Sequence, residues 1–234
     1  MKDSVILEIR PAVGGDEAKI WASDLSRMYT KFSQKQGWKI KIIGDGAIKI
    51  TGPEVWKKLK YEAGVHRVQR IPETERYGRI HTSTATVAVL PEISHAQIKI
   101  VPHDLEWQFF RSSTQGGQNV QKVSSAVRLK HKPTGVVVTC QQERTQEQNR
   151  KIALDLLKSR LEQHRKKSQQ AQLGIKRKEA VGRGMRAEKV RTYNYPQNRV
   201  TDHRIKKKFR LEDIIEGKLE KLITHLILQG SPST

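Results

Sequence analysis

Apolar positions alternate at Val5, Leu7 and Ile9, the two-residue period of a half-buried strand. After Gly14-Gly15 the period changes. Trp21, Leu25, Met28 and Phe32 recur at the spacing of one helix face, so a strand, a glycine turn and a helix are predicted in that order. Alternation returns at Trp38, Ile40 and Ile42, Gly44-Asp45-Gly46 marks a turn, and Thr82 to Leu90 is a β-branched run of period two. A mixed sheet-and-helix domain is expected over 1–104.

A second unit is predicted over 105–173. It opens with a strand through Phe110, continues into a polar glycine loop from Arg111 to Gln118, and carries two strands around the Lys132-Pro133-Thr134-Gly135 turn. Thr145 with Gln148 has the form of a capping box, and Ala153, Leu156, Leu157 and Leu161 share one face of the helix that follows. That helix is expected to fade into charged, glutamine-rich sequence at Gln169, Gln170 and Gln172.

Residues 174–192 hold Lys, Arg and Gly with few apolar side chains, the composition of a mobile connector. In 193–234 one last helix is expected to carry Ile214, Ile215, Leu219, Leu222, Ile223, Leu226 and Ile227, a stripe broad enough to need cover from the first domain. The fold class expected is α+β: a mixed-sheet domain packed with a C-terminal helical segment, plus a separate α/β domain.

Charge narrows the partners. The chain has 45 Lys and Arg against 24 Asp and Glu, a net +21, which calls for a polyanion, nucleic acid first. The excess is mainly C-terminal, with 17 basic and 12 acidic residues up to Asp104 and 28 against 12 beyond it. No apolar run approaches the roughly 20 residues of a membrane span, and the clusters Arg165-Lys166-Lys167 and Lys176-Arg177-Lys178 face no apolar stripe, so no membrane partner is expected. One cysteine, Cys140, excludes an internal disulfide and a cysteine-based zinc site. With no export signal after Met1, a cytoplasmic monomer is expected.

Titratable groups give little sign of a self-contained active site. Asp202-His203 is a common dipeptide, and the eight histidines show no metal-ligand spacing, so neither a metal nor a cofactor is expected. The better candidate is the loop Arg111-Ser112-Ser113-Thr114-Gln115-Gly116-Gly117-Gln118-Asn119. Adjacent glycines permit close approach and bare backbone N–H groups. The neutral amide of Gln118 can orient a water or support developing negative charge.

The sequence around that loop, RSSTQGGQNV, then SAVRLKHKPTGVVVTCQQERTQEQNRKIAL and TYNYPQNRVTDHRI, resembles the peptidyl-transfer domain and C-terminal segment of the class I peptide chain release factors of bacteria and organelles. Upstream, AVGGDEA and GVHRVQRIPETERYGRIHTSTATVAVLPE resemble the same family's codon-reading domain. The resemblance covers nearly the whole chain.

It implies a translation termination factor working in the ribosomal A site on both subunits, against ribosomal RNA, an mRNA stop codon and the P-site peptidyl-tRNA. Gly116, Gly117 and Gln118 would promote hydrolysis of the peptidyl ester within the ribosome's own catalytic centre, making the free chain no enzyme. Gln118 would also be the target of a glutamine methyltransferase, becoming N5-methylglutamine. Pro72-Glu73-Thr74 has the Pro-x-Thr form of members that accept UAA and UAG. By the same resemblance, backbone N–H groups near Gly14 and Glu17 meet the first uridine with Thr74, His81 stacks at the second base, and Gln69, Thr82 and Thr86 read the third.

Two departures accompany the match. The family carries a further helical domain ahead of the segment matched from Met1 onward, and the resemblance assigns contacts with a recycling GTPase and with the large-subunit stalk base to that domain, so they are left open here. Thr114-Gln115 and the stretch Gln121 to Ser124 differ from the family's usual residues beside the loop. Two rivals stay open: a codon-independent ribosome rescue factor that shares the loop, and a non-catalytic ribosome or RNA binder in which the loop is merely a turn.

Overall fold

The structure, a computed structural model, describes residues 2–44, 46–72, 75–92, 100–112, 122–182 and 184–229. Its elements are β1 (Lys2–Pro11), α1 (Asp16–Lys35), β2 (Lys39–Gly44), β3 (Ala47–Pro53), α2 (Val55–Leu59), β4 (Gly64–Arg70), β5 (His81–Pro91), β6 (Leu105–Phe110), β7 (Ala126–His131), β8 (Val137–Cys140), α3 (Gln146–Val181), β9 (Lys189–Asn194), β10 (Arg199–Asp202), β11 (Lys207–Arg210), α4 (Leu211–Ile215) and α5 (Glu220–Leu228). The chain divides into two compact units, Met1–Ile93 with Leu173–Thr234, and Ser94–Gln172.

The first unit is built on an eight-stranded sheet in the order β11-β10-β9-β4-β5-β1-β3-β2. Its pairings are antiparallel except β4 with β9, where the C-terminal segment enters the middle of the sheet parallel to β4. Val5, Leu7 and Ile9 of β1 and Trp21, Leu25, Met28 and Phe32 of α1 are all buried in one core with Leu219, Leu222, Ile223 and Leu226. The two periods read from the sequence are therefore the two sides of one interface.

An ionic cluster around the fully buried Arg191, Glu62 and Asp202 ties the C-terminal segment in. Arg191 on β9 donates through both terminal nitrogens to Glu62, at 2.7 and 2.9 Å, and its Nε reaches Asp202 at 3.2 Å. The hydroxyl of Tyr29 donates to Glu62 at 2.8 Å, and Arg204 donates to Asp202 at 2.7 Å. Burial works to raise the Asp202 pKa, but the hydrogen bond from Arg204 and the charges of Arg191 and Arg204 outweigh it and bring it to about 2.

Several expectations need correction. The mobile connector expected over 174–192 is largely regular structure among its described residues: α3 runs through Val181 and β9 begins at Lys189. Lys, Arg, Gln, Glu and Ala are strong helix formers, and a helix already packed through Ala153, Leu157 and Leu161 propagates into such sequence without burying more. Leu156, expected on that packed face, is 40 % exposed. The single last helix is two, α4 and α5, preceded by β10 and β11. Gly217, at φ +79°, parts them and passes so close to the backbone of Lys31 and Phe32 that a Cβ would not fit.

The run Thr82 to Leu90 is buried on both faces rather than one, because α1 covers one face and the last turns of α3 lie over Glu8, Arg10, Thr86 and Ala88 on the other. In β2 the alternation marks an outer strand: Ile42 is 77 % exposed.

In the second unit β6, β7 and β8 form an antiparallel sheet in that order, covered by α3 through Ala153, Leu157 and Leu161. Ile100 packs into this core and the Asp104 carbonyl accepts the Lys132 N–H at 2.9 Å, so residues 100–104 go with the second unit rather than with 1–104. The Thr145 and Gln148 cap is present, with the Gln148 N–H on the Thr145 hydroxyl at 3.4 Å and that hydroxyl on the Gln148 side chain at 2.7 Å.

Candidate functional site

At the end of β1 the chain turns into α1 through Gly14, at φ +140°, where a Cβ would overlap the Ser83 hydroxyl of β5. The turn is moored to β5 by three bonds: Ala12 N–H to Thr84 O at 2.9 Å, Thr84 N–H to Val13 O at 2.8 Å, and Val13 N–H to the Thr84 hydroxyl at 3.0 Å. No side chain caps α1 at Gly15. The Ala18 N–H turns back to the Gly15 carbonyl at 3.2 Å, and the N–H groups of Asp16 and Glu17 stand at the positive end of the helix dipole with no side-chain cap.

Glu17 lies in that first turn and is buried. Its Oε1 accepts the Nε of Arg70 at 2.6 Å, while the Nη1 of Arg70 donates to Asp24 at 2.8 Å. The same guanidinium stands 5.2 Å from the Tyr195 ring of the C-terminal segment. Burial works against the Arg70 charge, and the bonds to Glu17 and Asp24 outweigh it, holding its pKa above the usual arginine value. Arg70 and Asp24 were not singled out from sequence. A signal existed: Glu17, Trp21 and Asp24 fall on one helix face, and carboxylates on an apolar stripe call for a cation.

The strand register sorts the remaining candidates. Gln69 stands opposite Thr82 and Arg70 opposite His81 across β4 and β5. Opposed residues share a face, so Gln69 and Thr82 point to one side of the sheet and Arg70 and His81 to the other, where α1 sits. Gln69 also registers with Asn194 of β9, whose Nδ2 donates to the Gln69 Oε1 at 3.3 Å. Thr86 shares the face of Thr82 but lies four residues farther along β5, only 8 % exposed, with its hydroxyl on the Arg10 carbonyl at 3.3 Å.

A cavity of about 250 Å³ opens beside Thr86, lined by Glu8, Arg10, Arg177 and Gly182 among others, and closed at one side by a two-pronged Arg177 to Glu8 bond at 2.5 and 2.7 Å. His81 is 44 % exposed and its Nε2 lies 2.6 Å from the Glu75 carboxylate. Pro72 is buried and its carbonyl accepts the Glu75 N–H at 3.1 Å. Glu73 and Thr74 lie outside the described residues, as do Gly116, Gly117 and Gln118.

What the structure describes beside the glycine loop is its C-terminal root. Asn149, fully buried on α3, donates to the carbonyls of Ser125 and Glu143 at 2.9 Å each and accepts the Glu143 N–H at 3.0 Å. Gln146 adds a bond to the Ser124 carbonyl at 2.8 Å. Asp202 and His203 form no catalytic pair: Asp202 belongs to the arginine cluster, and His203 Nε2 meets the Thr192 hydroxyl at 2.7 Å.

Comparison with known proteins places this geometry. The PCRF domain matches residues 2–87 and the RF-1 domain residues 92–204. Peptide chain release factor 1 of Thermotoga maritima is 50 % identical over 236 residues, covering 96 % of this chain and 69 % of that protein. The chain belongs to the peptide chain release factor 1 family. The proteins of that name from Lactobacillus acidophilus and Aquifex aeolicus are 52 % and 51 % identical, each with 65 % of its length covered. The chain thus spans about two thirds of the length of these release factors. Among solved structures, RF2 of Thermus thermophilus matches at a TM-score of 0.56 and 34 % identity, over 97 % of this chain and 68 % of that one. Release factors of this family are translation termination factors that act on the ribosome, and the mixed α/β fold described above is consistent with the match.

Proposed function

We propose that this chain reads UAA and UAG in the ribosomal A site and, through Gly116, Gly117 and Gln118, promotes hydrolysis of the P-site peptidyl-tRNA in the peptidyl transferase centre. The observation that carries the reading is the register of β4 and β5. His81 stands at the start of β5 on the α1 side, with Gly14, Glu17 and Arg70, and its neighbour Thr82 turns to the opposite face beside Gln69. A ring in that place can stack on a second base while the helix start takes a first uridine, with Thr74, and the amide and hydroxyl take a third base. Thr86 joins that third-base set only once the segment beside it, around Gly184, moves away. Pro72 and Glu73 belong to the same sequence motif as Thr74.

The catalytic contribution expected of the glycine loop is positional and electrostatic, a preorganised donor worth about 10²- to 10³-fold in rate, with the bond-breaking centre supplied by ribosomal RNA. The free protein is accordingly not an esterase. The remaining finer roles, a cytoplasmic location and methylation of Gln118 by a glutamine methyltransferase, follow from the same reading.

Release of peptide from ribosomes programmed with UAA, UAG, UGA or a sense codon tests it. Release on UAA and UAG alone is expected. Comparable release on a sense codon would replace codon reading with ribosome rescue. Gly117→Ala should abolish release and leave ribosome binding intact; unchanged release would reduce the loop to a turn. Exchange of Pro72-Glu73-Thr74 for Ser-Pro-Phe should impair UAG, and unimpaired UAG release would remove Thr74 from the reading.

A further inference from the structure

Glu75 sits on an otherwise open loop, yet its side chain is only 4 % exposed. Three donors enclose it. The Tyr77 N–H reaches its Oε1 at 2.9 Å, the Arg79 Nη2 lies 3.3 Å from its Oε2, and the His81 Nε2 meets that same Oε2 at 2.6 Å. Its own N–H is held by the Pro72 carbonyl at 3.1 Å. An ordinary surface ion pair leaves both partners in water and contributes little. Here the arginine and histidine are 69 % and 44 % exposed while the acid between them is covered, so the acid is the fixed point and the bases are arranged around it.

An ionised carboxylate only accepts hydrogen bonds, so the Nε2 facing it carries a proton, and in its neutral form the ring is held as one tautomer with Nδ1 as the acceptor. The bond also limits rotation about the outer side-chain torsion, which sets the plane of the ring. We propose that Glu75 is a positioning residue for stop-codon recognition, fixing the tautomer and ring plane in which His81 meets the second base. This rests on the codon-reading role proposed for His81. The Tyr77 N–H is the main reason the Glu75 carboxyl stays below its ordinary pKa, with Arg79 and His81 adding to it, so the anchor remains ionised at neutral pH.

The test compares wild type, Glu75→Ala and Glu75→Gln on ribosomes programmed with UAA or UAG, alongside ¹⁵N spectra of the histidine rings, with His81 assigned by His81→Gln. For Glu75→Ala the factor concentration giving half-maximal release should rise roughly tenfold, the value of one hydrogen bond to a charged group, while the rate at saturation changes little. Glu75→Gln keeps an acceptor and should recover most of the loss. The His81 ring should pass from a single tautomer in wild type to a mixture in Glu75→Ala.

A well-folded Glu75→Ala with wild-type half-saturation, or with unchanged His81 nitrogen shifts, would overturn the proposal. So would a Glu75→Gln variant no better than Glu75→Ala. If Glu75→Ala does not fold, Glu75→Leu, which fills the same space and offers no acceptor, takes its place: an altered tautomer balance with weakened release supports the assignment, and wild-type behaviour in both sinks it. Failure of the wild-type protein to distinguish UAG from a sense codon would instead defeat the underlying functional reading, and the nitrogen spectra would still decide the Glu75 to His81 coupling.

Discussion

The Nε of Arg70 lies 2.6 Å from the Oε1 of Glu17, and through that contact the first strand of a hairpin-like pair grips the first turn of a helix. The other arm of the same guanidinium holds Asp24, two turns along α1, at 2.8 Å. Among the described residues the other oxygen of Glu17 is buried without a hydrogen-bond partner, so Arg70 is the side chain that compensates it. Replacing Arg70 with Met strands a buried carboxylate. A loss of about 2 kcal/mol is expected, below the range for a fully enclosed pair because Asp24 is partly in water. Arg70→Lys should recover only part of it, since one ammonium cannot reproduce the fork. Urea denaturation of the three proteins measures this, and a neutral Arg70→Met would show that water already screens the pair.

Gly14 and Gly37 both have positive φ, +140° and +68°, but only Gly14 also abuts another strand, at Ser83. Gly37→Ala should cost about 1–2 kcal/mol, the price of a left-handed alanine, and leave stop-codon release alone. Gly14→Ala should cost more and weaken UAA and UAG release together, because the helix start is pushed off β5. Equal effects of the two substitutions in thermal unfolding and release would remove Ser83 as the constraint.

His66 and Asp202 should both contribute to the acid limb of stability. Burial, and then repulsion by Arg191, carries the His66 pKa from 6.5 down to about 4. The unfolded chain therefore takes a proton that the folded chain refuses between those values, and stability falls with falling pH by up to about 3 kcal/mol. Asp202 acts lower: its folded pKa of about 2 lies below the ordinary 3.8, so its contribution is full above 3.8 and is lost as pH falls through 2. In urea midpoints taken from about pH 7 to about pH 3, His66→Gln should flatten the upper limb alone. A slope unchanged in that variant would assign the upper limb elsewhere.

Asn194 fixes one end of the Gln69 amide, its Nδ2 donating to Oε1 and leaving the Gln69 NH₂ as the group free to meet a base. Guanine offers O6 as an acceptor where adenine offers an amino donor. Asn194→Ala should release the amide to turn over and shift the UAG to UAA release ratio toward UAA. A ratio that does not move, with both codons still read, would separate Asn194 from third-base recognition.

Much of this was legible before any coordinates. The strand, turn and helix from Val5 to Phe32 follow from two periods on either side of Gly14-Gly15, because each face needed the other. The candidate positions Gln69, His81 and Thr82 came from motif resemblance, and register then divided them between two faces. What stayed hidden were relations over long sequence separations. Arg191 lies in a stretch whose composition resembles a solvated connector, and nothing local shows that Glu62, Asp202 and Tyr29 converge with it in a dry core. The exposed part of α3 was missed for a different reason: its helicity rests on intrinsic propensity, which an argument from burial passes over.

The parallel seam between β4 and β9 bears on biosynthesis. The strand that follows Glu62 must wait for partners more than a hundred positions downstream, about as far as Arg191, before its open edge is sealed and its acid neutralised. Loops of such span close slowly, and an unsealed strand edge invites wrong neighbours. A polypeptide cut short before Tyr193 would lose more than a tail: the platform made earliest would stay unfinished, a hazard for a protein whose own messenger is decoded by the machinery it serves.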